Sequence, residues 1–130
     1  MAFTEIEIQY LAGQHLGRLA TLRPDGTLQN SPVGYRYNPE TGTIDVPGYR
    51  MTASRKFRNV AANGQVAFVV DDLPSTNPWR VRCLEIRGTA EAIDDPGLIR
   101  IHPRQIISFG LEDTDTEPHQ LVPSNRKVGV

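Results

Sequence analysis

The sequence predicts a mainly β fold of the α+β class, a β-barrel with two or so short helices at its rim. Apolar and polar residues alternate along several segments, turn formers separate these segments at hairpin spacing, and only two segments have helical spacing. The length of 130 residues and the 38% hydrophobic content fit one globular domain. A domain of this size has a limited interior, so a deep pocket would often be completed by a second subunit.

Two segments predict helices. Thr4 and Glu7 have the spacing of a capping box, and the helix that they start is expected to reach about Ala12 before Gly13 ends it. The second helix follows a strand and ends at residues 63–64. It is expected to pack inward through three apolar residues at helical spacing, Phe57, Val60 and Ala61.

The other periodic segments predict six or seven strands, at residues 17–22, 27–37, 43–46, 65–71, 82–93, 99–102 and 105–110. Pro32 lies inside the second of these. It cannot donate to a sheet ladder, so we expect it at an edge, at a bulge, or where something other than a strand approaches. The nearly continuous apolar run at 65–71 predicts a strand buried on both faces, and the turn formers at 72–78 predict a loop.

The chain divides into a predicted domain at residues 1–111 and a C-terminal tail at residues 112–130. The tail begins with acidic residues, ends with basic ones and has no apolar periodicity. By itself it would be disordered, or it would lie across another surface such as that of a partner subunit.

Composition narrows the function classes. The net charge of -1 and the pI of about 6.3 give no global attraction to nucleic acid or to anionic membranes. No apolar run reaches the length of a membrane span, and the N-terminal residues lack the pattern of a signal peptide, so a cytoplasmic location is expected. Cys83 is the only cysteine, which excludes an internal disulfide and a cysteine-based zinc site within one chain.

The most informative segment is residues 46–60, where a short apolar strand is followed by glycine and a helix begins among four basic side chains and no acidic one. The first turn of a helix leaves N–H groups unpaired and carries the positive end of the helix dipole, so it favours an anion. Arg55 can bind two oxygens at once, and Lys56 adds a point charge. The segment therefore predicts a phosphate site. The alternative is a solvated basic helix face with Thr52 or Ser54 as the N-cap.

Five motifs follow one another in an order that resembles the pyridoxamine 5'-phosphate oxidase-like flavoproteins. They are GRLAT at 17–21, SPVGY at 31–35, SRK at 54–56, the segment 64–72, and EIRG at 85–88. Residues 101–104 and 72–82 look most like the actinobacterial branch that uses the deazaflavin coenzyme F420. The resemblance covers roughly residues 3–110. It implies a split β-barrel like that of FMN-binding proteins, an obligate homodimer, and a cofactor site at the subunit interface.

The resemblance also implies the site residues. The cofactor phosphate would bind to Ser54, Arg55 and Lys56, and the flat ring would lie along the strand at 31–36, whose proline and glycine suit a backbone that faces a ligand. The full set of cofactor-binding residues that it implies is Ser31, Pro32, Val33, Gly34, Pro47, Gly48, Tyr49, Arg50, Ser54, Arg55, Lys56 and Trp79. Trp79 is expected either as a core anchor or as a wall over the partner's cofactor.

The implied cofactor is F420, with FMN as the alternative. FMN-using oxidases usually carry an arginine in the place of Ser31 and a glutamine in the place of Cys83, and these two departures argue against tight FMN binding. The resemblance therefore implies an F420-dependent reductase that transfers hydride to an unsaturated small-molecule substrate. The alternatives are an FMN-dependent oxidase or reductase on the same fold, and a flavin- or F420-binding protein without turnover.

No sequence pattern identifies a catalytic side chain. Tyr35, Tyr49 and His15 are candidate proton donors, and none is preferred. The three histidines have no ligand spacing, so no metal site is expected. Cys83 lies in an alternating strand, which favours a small buried hydrophobe over a reactive thiol. No Ser/His/Asp triad, Walker loop or G-x-G-x-x-G motif is present, which argues against hydrolase and ATPase functions.

Overall fold

The computed structural model describes residues 2–129 and shows a mainly β fold with two α-helices, as predicted. The helices are α1, Glu5–Gly13, and α2, Arg55–Ala62. The strands are β1 Leu16–Leu22, β2 Leu28–Gly34, β3 Arg36–Asn38, β4 Thr43–Pro47, β5 Gln65–Thr76, β6 Trp79–Ile93, β7 Leu98–Phe109 and β8 Ser124–Lys127. Short 3₁₀ helices occupy Met51–Ala53 and Pro118–Gln120.

All eight strands belong to one antiparallel sheet in the order β2-β1-β5-β6-β7-β4-β3, with β8 paired to β7. Strands β2 and β3 lie at opposite ends of this order, yet only Tyr35 separates them along the chain. The sheet must therefore curl until its two edges meet, which gives the split barrel. The predicted strand at 27–37 is thus two strands that pair with different neighbours, because the chain passes from one edge of the sheet to the other at Tyr35.

Both predicted helices are present. The capping box at the start of α1 is confirmed, since Thr4 Oγ1 accepts from the Glu7 amide and Glu7 Oε1 accepts from the Thr4 amide. Helix α2 buries Phe57 and Val60 as predicted. Ala61 is exposed, so its predicted inward position is wrong, and Asn59 is buried in its place. The buried face of α2 therefore runs from Asn59 through Val60 to Phe57, and Ala61 lies just beyond the Phe57 end of this face.

Residues 72–78 are not the predicted loop. Strands β5 and β6 continue through this segment as a hairpin arm, and its tip lies at Asn77 and Pro78. Asp72 fixes the base of the arm: Arg82 Nη2 donates to it at 2.6 Å and Tyr10 Oη at 2.8 Å. The turn-forming composition did not reveal this long-range anchoring.

Strand β5 is buried on one face only, which corrects the prediction of burial on both. Val66, Phe68 and Val70 point into the core, whereas Ala67 and Val69 are half-buried on the outer face of the sheet. The core lies inside the curl and is filled mainly by aliphatic residues of β4, β6 and β7, including Ile44, Ile86 and Ile106.

The C-terminal segment lies on its own chain. Strand β8 pairs with β7, and Arg126 donates to buried Glu7 from both Nη atoms, at 2.8 and 2.6 Å. Arg80 holds the acidic part of this segment to the hairpin arm through Asp115 and Glu117. Within residues 2–129, no helix is both long enough and apolar enough to cross a membrane.

Candidate functional site

The basic segment forms a loop and a helix start at the end of β4. After Pro47 the chain turns through Arg50, whose φ of 55° is left-handed, into the short 3₁₀ helix and then into α2. Ser54 is the N-cap of α2: its Oγ accepts from the Phe57 amide at 3.2 Å and donates to the Met51 carbonyl at 2.7 Å. The amides of Arg55 and Lys56 precede the first intrahelical hydrogen bonds, so they remain available to a ligand.

The cations of this loop face solvent. Arg50, Arg55 and Arg58 are exposed, and Lys56 is half-exposed. Among residues 2–129, no carboxylate lies within 4.0 Å of these four side chains, whereas many of the other arginines form ion pairs. Helix α2 has no acidic residue in its first turn. The arrangement therefore presents positive charge and N–H donors to one small volume without an internal counter-ion.

Strand β2, which contains most of the predicted ring-binding segment, is an edge strand, which is one of the three settings expected for Pro32. Its register places Ser31 opposite Leu19 and Pro32 opposite Arg18. Val33 points into the core, so it can offer a ligand only its backbone, whereas Pro32 and Gly34 are exposed. The outer edge of such a strand has N–H and C=O groups that no other strand pairs.

A buried amide network joins helix α2 to this edge. Asn59 Nδ2 donates to Thr21 Oγ1 at 3.1 Å and to Gln29 Oε1 at 3.2 Å, and Gln29 Nε2 donates to Ser31 Oγ at 3.3 Å. The structure thus connects the predicted phosphate helix and the predicted ring strand through three side chains that the sequence did not reveal. Asn59 itself was the available signal, because an uncharged amide beside inward-facing Val60 needs a partner when it is buried.

Two predicted site residues are strongly exposed. Tyr49 is 93% exposed, and the Arg50 guanidinium lies 5.7 Å from its ring centroid. Trp79 lies near the tip of the hairpin arm and is 53% exposed. This exposure excludes the core-anchor alternative for Trp79 in this chain.

The candidate proton donors differ in availability. Tyr35 Oη donates to the Leu11 carbonyl at 2.7 Å, and burial raises its pKa to about 12, so it is held as a structural donor. His15 is exposed just ahead of β1. His102 pairs with Glu91. In the described part of the chain, no three His, Cys, Asp or Glu side chains are grouped to hold a metal ion.

Cys83 lies on the outer face of β6 and is half-buried. Burial raises the pKa of its thiol to about 11, and the nearby Asp71 and Glu85 carboxylates add to the shift. Because the thiolate is scarce at neutral pH, this cysteine is poorly suited to nucleophilic chemistry.

Comparison with known proteins gives a consistent result. The family described as Pyridoxamine 5'-phosphate oxidase matches residues 4–108. A 5a,11a-dehydrotetracycline/5a,11a-dehydrooxytetracycline reductase of Streptomyces rimosus is 47% identical over 92% of each chain.

Two solved structures share the fold. A conserved hypothetical protein of Mycobacterium tuberculosis superposes with a TM-score of 0.73 at 18% identity, covering 88% of this chain and 89% of the other. An FAD binding protein of Mycobacterium smegmatis does so with a TM-score of 0.63 at 21% identity, covering 82% and 93%. At these identities the two likenesses support the fold alone.

Proposed function

This chain belongs to the pyridoxamine 5'-phosphate oxidase family, and on that premise we propose that it is a reductase that uses coenzyme F420 to reduce an unsaturated organic substrate. The observation that carries the proposal is the 47% identity, over nearly the whole chain, to a dehydrotetracycline reductase. When bound, reduced F420 supplies a hydride, and a proton completes the reduction of the substrate's double bond. By the same likeness, we propose a conjugated, polycyclic ketone as the substrate class.

The chain's own residues fit a flat cofactor that carries a phosphate. The free amides at the start of α2, with Arg55 and Lys56, are suited to bind the phosphate. The open edge of β2 is suited to orient a ring through backbone groups, since its proline and glycine leave the approach clear. Orientation and the exclusion of water are the protein's share of such catalysis.

The direct test of the proposal is turnover. We expect the purified protein to oxidise reduced F420 only when a conjugated acceptor such as 5a,11a-dehydrooxytetracycline is present. The reaction is measured by the return of the oxidised cofactor's absorbance. Binding of F420 without turnover of any such acceptor would favour a carrier protein. Turnover with reduced FMN and not with reduced F420 would move the protein to the FMN-dependent class.

The two cofactors can be distinguished through Arg50 and Arg58. F420 carries an anionic lactyl-glutamyl tail beyond its phosphate, and these two exposed arginines flank the phosphate motif without an internal counter-ion. FMN ends at the phosphate. Replacing both arginines by glutamine is therefore expected to weaken F420 binding by about 1 kcal/mol, because exposed charge pairs are worth about 0–1 kcal/mol each. FMN binding should change little.

This prediction is checked by titrating both cofactors at one ionic strength. A variant with Arg23 and Arg104 changed to glutamine serves as the control, because it removes the same net charge outside the predicted site. Equal losses for F420 and FMN would mean that Arg50 and Arg58 act through the general field, and the choice of F420 would then rest on likeness alone.

We also propose that the working unit is a homodimer that uses the outer face of the sheet. The strand register places Val69 opposite Glu85 and Glu85 opposite Ile107, all on this face. Its apolar members are only half-buried or exposed in the single chain: Leu16, Ala67, Val69, Ile107 and Phe109. Such a face on a small domain is suited to a second copy, whose arm could bring Trp79 to the cofactor.

We expect the dimer to bury well over about 2,000 Å² in total, as obligate interfaces do. Sedimentation should give a dimer at micromolar concentration, and Val69→Lys should shift it to monomer, because the interface would desolvate the ammonium and the neighbouring Glu85 carboxylate is already paired with Arg87. Val122→Lys is the control, since Val122 is 79% exposed and lies outside the sheet. A wild-type monomer that still binds cofactor would contradict the dimer.

A further inference from the structure

The amide network between α2 and β2 has a direction. Asn59 is 3% exposed and Thr21 is 1% exposed, so the Asn59 amide is held inside the protein. Its Nδ2 donates to Thr21 Oγ1 and to Gln29 Oε1. Because Gln29 Oε1 is used as an acceptor, the Gln29 amide presents its Nε2 donor to Ser31, and Ser31 Oγ accepts.

This direction leaves the Ser31 proton free. The Ser31 oxygen receives a hydrogen bond from inside the chain, and no acceptor for the Ser31 proton is present among residues 2–129. Ser31 lies half-exposed on an edge strand, between Asn30 and Pro32. A hydroxyl group in this setting is oriented as a donor towards whatever binds along the edge.

We propose that Asn59 and Gln29 are positioning residues that hold Ser31 as a hydrogen-bond donor to an acceptor atom, a carbonyl oxygen or ring nitrogen, of the bound cofactor ring. The inference rests on the proposed function, because it takes β2 as the ring site. Asn59 lies four residues after Arg55 on α2, one helical turn from the phosphate motif. The same helix would therefore fix the phosphate at its start and the ring donor through its buried side.

The proposal predicts the effect of reversing the network. In Asn59→Asp the carboxylate can only accept, so Thr21 would donate its hydroxyl proton to it and Gln29 would donate its Nε2. Gln29 Oε1 would then face Ser31 and draw the Ser31 proton inward, away from the ligand. Each buried group keeps a partner, but the buried carboxylate carries a desolvation cost, so the half-exposed Gln29→Glu, which turns the same contact with Ser31, is made beside it.

The test is a double-mutant cycle on the dissociation constant for F420. In the wild-type background, Ser31→Ala is expected to weaken binding about 5- to 10-fold, the worth of one ordinary hydrogen bond. In the Asn59→Asp background, the same change is expected to cost less than about twofold, because the donor is already lost. The carboxylate added by Asn59→Asp affects phosphate binding equally with and without Ser31. The difference between the two Ser31→Ala effects therefore reports on the network alone.

Asn63→Asp is the matched control. It places the same substitution at the C-cap of α2, where Asn63 Oδ1 accepts from the Gln65 amide and an aspartate can do the same. In this background, Ser31→Ala should weaken F420 binding as much as it does in the wild type. If Asn59→Asp lowers the melting temperature too far for titration, Gln29→Glu replaces it, because a glutamate at this half-exposed edge position also accepts the Ser31 proton.

The outcomes separate the two proposals. One outcome is that Ser31→Ala weakens F420 binding as much in the Asn59→Asp and Gln29→Glu backgrounds as in the wild type. That result would overturn the positioning role and leave the proposed function intact, provided that the wild type binds F420. A wild-type protein that binds neither F420 nor FMN would overturn both.

Discussion

Replacing both Arg55 and Lys56 by alanine is expected to weaken cofactor binding by about 2–5 kcal/mol, which is at least about 30-fold in the dissociation constant. The two side chains stand at the first turn of α2 with no carboxylate nearby in the described part of the chain. A phosphate bound there gains charge-assisted hydrogen bonds from both, and the amides of the helix start remain to give the residual affinity. Folding should survive, because neither side chain is buried.

The measurement is a titration of the variant with F420 and with FMN, both of which carry the phosphate. Arg104→Ala with Lys127→Ala is the matched control, because it removes one arginine and one lysine from exposed positions on β7 and β8. The loss should shrink in high salt as screening weakens the charge contribution. Unchanged binding of both cofactors by the Arg55/Lys56 variant would show that the basic turn is only a solvated helix start.

The local features of this protein could be predicted from sequence. The capping box of α1 and the N-cap of α2 depend on side chains within three residues of the helix start, and the structure has both. Pro32 limited its position to an edge, a bulge or a contact with something other than a strand, because it lacks the N–H that a sheet ladder needs, and it lies on an edge strand. The barrel topology is not specified by any single segment, and it was predicted from the order of the five motifs that resemble the family.

The features that depend on distant residues could not be predicted. The arm at residues 72–78 looked like a loop because its partners, Tyr10 and Arg82, lie on other segments. Asn59 was missed because its partners are Thr21 and Gln29, which are 38 and 30 residues away. The cofactor-binding residues stay a prediction, since the proposed dimer would complete the site with contacts that one chain does not contain.

Asp45→Ala is expected to lower the free energy of unfolding by about 3 kcal/mol and the melting temperature by about 10 °C, because it breaks a buried ion pair. Asp45 is 0% exposed on β4. It accepts from Arg100 Nε at 3.1 Å, from Asn38 Nδ2 at 3.0 Å and from Thr43 Oγ1 at 2.9 Å. These contacts, with a further one from Arg100 Nη2, hold β4 to β3 and β7, and truncation would remove the acceptor of four donor groups. The partly exposed Arg100 can recover some hydration, which places the cost at the lower end of the usual range for such pairs.

The pH dependence identifies the carboxylate as the cause. Burial alone would raise the pKa of Asp45, but the hydrogen bonds from Arg100, Asn38 and Thr43 outweigh it and hold the pKa below its ordinary value. A depressed pKa in the folded state stabilises the protein above the unfolded-state pKa of about 3.9, and the stabilisation is lost as the pH falls through the folded-state pKa. The difference between wild type and Asp45→Asn should therefore be full at pH 7 and shrink below about pH 3.9.

The Asp115→Ala variant is the control for Asp45→Ala, because the Asp115 carboxylate is exposed and its pair with Arg80 should contribute less than about 1 kcal/mol. A cost for Asp45→Ala as small as that of Asp115→Ala would contradict the role of the Asp45–Arg100 pair. Strand β4 also leads directly into the predicted phosphate loop, so the same variant tests whether the loop depends on the strand. If the loop keeps its shape, a given cofactor concentration will add the same free energy of unfolding to Asp45→Ala as to the wild type at one temperature, since this stabilisation depends only on ligand concentration and affinity.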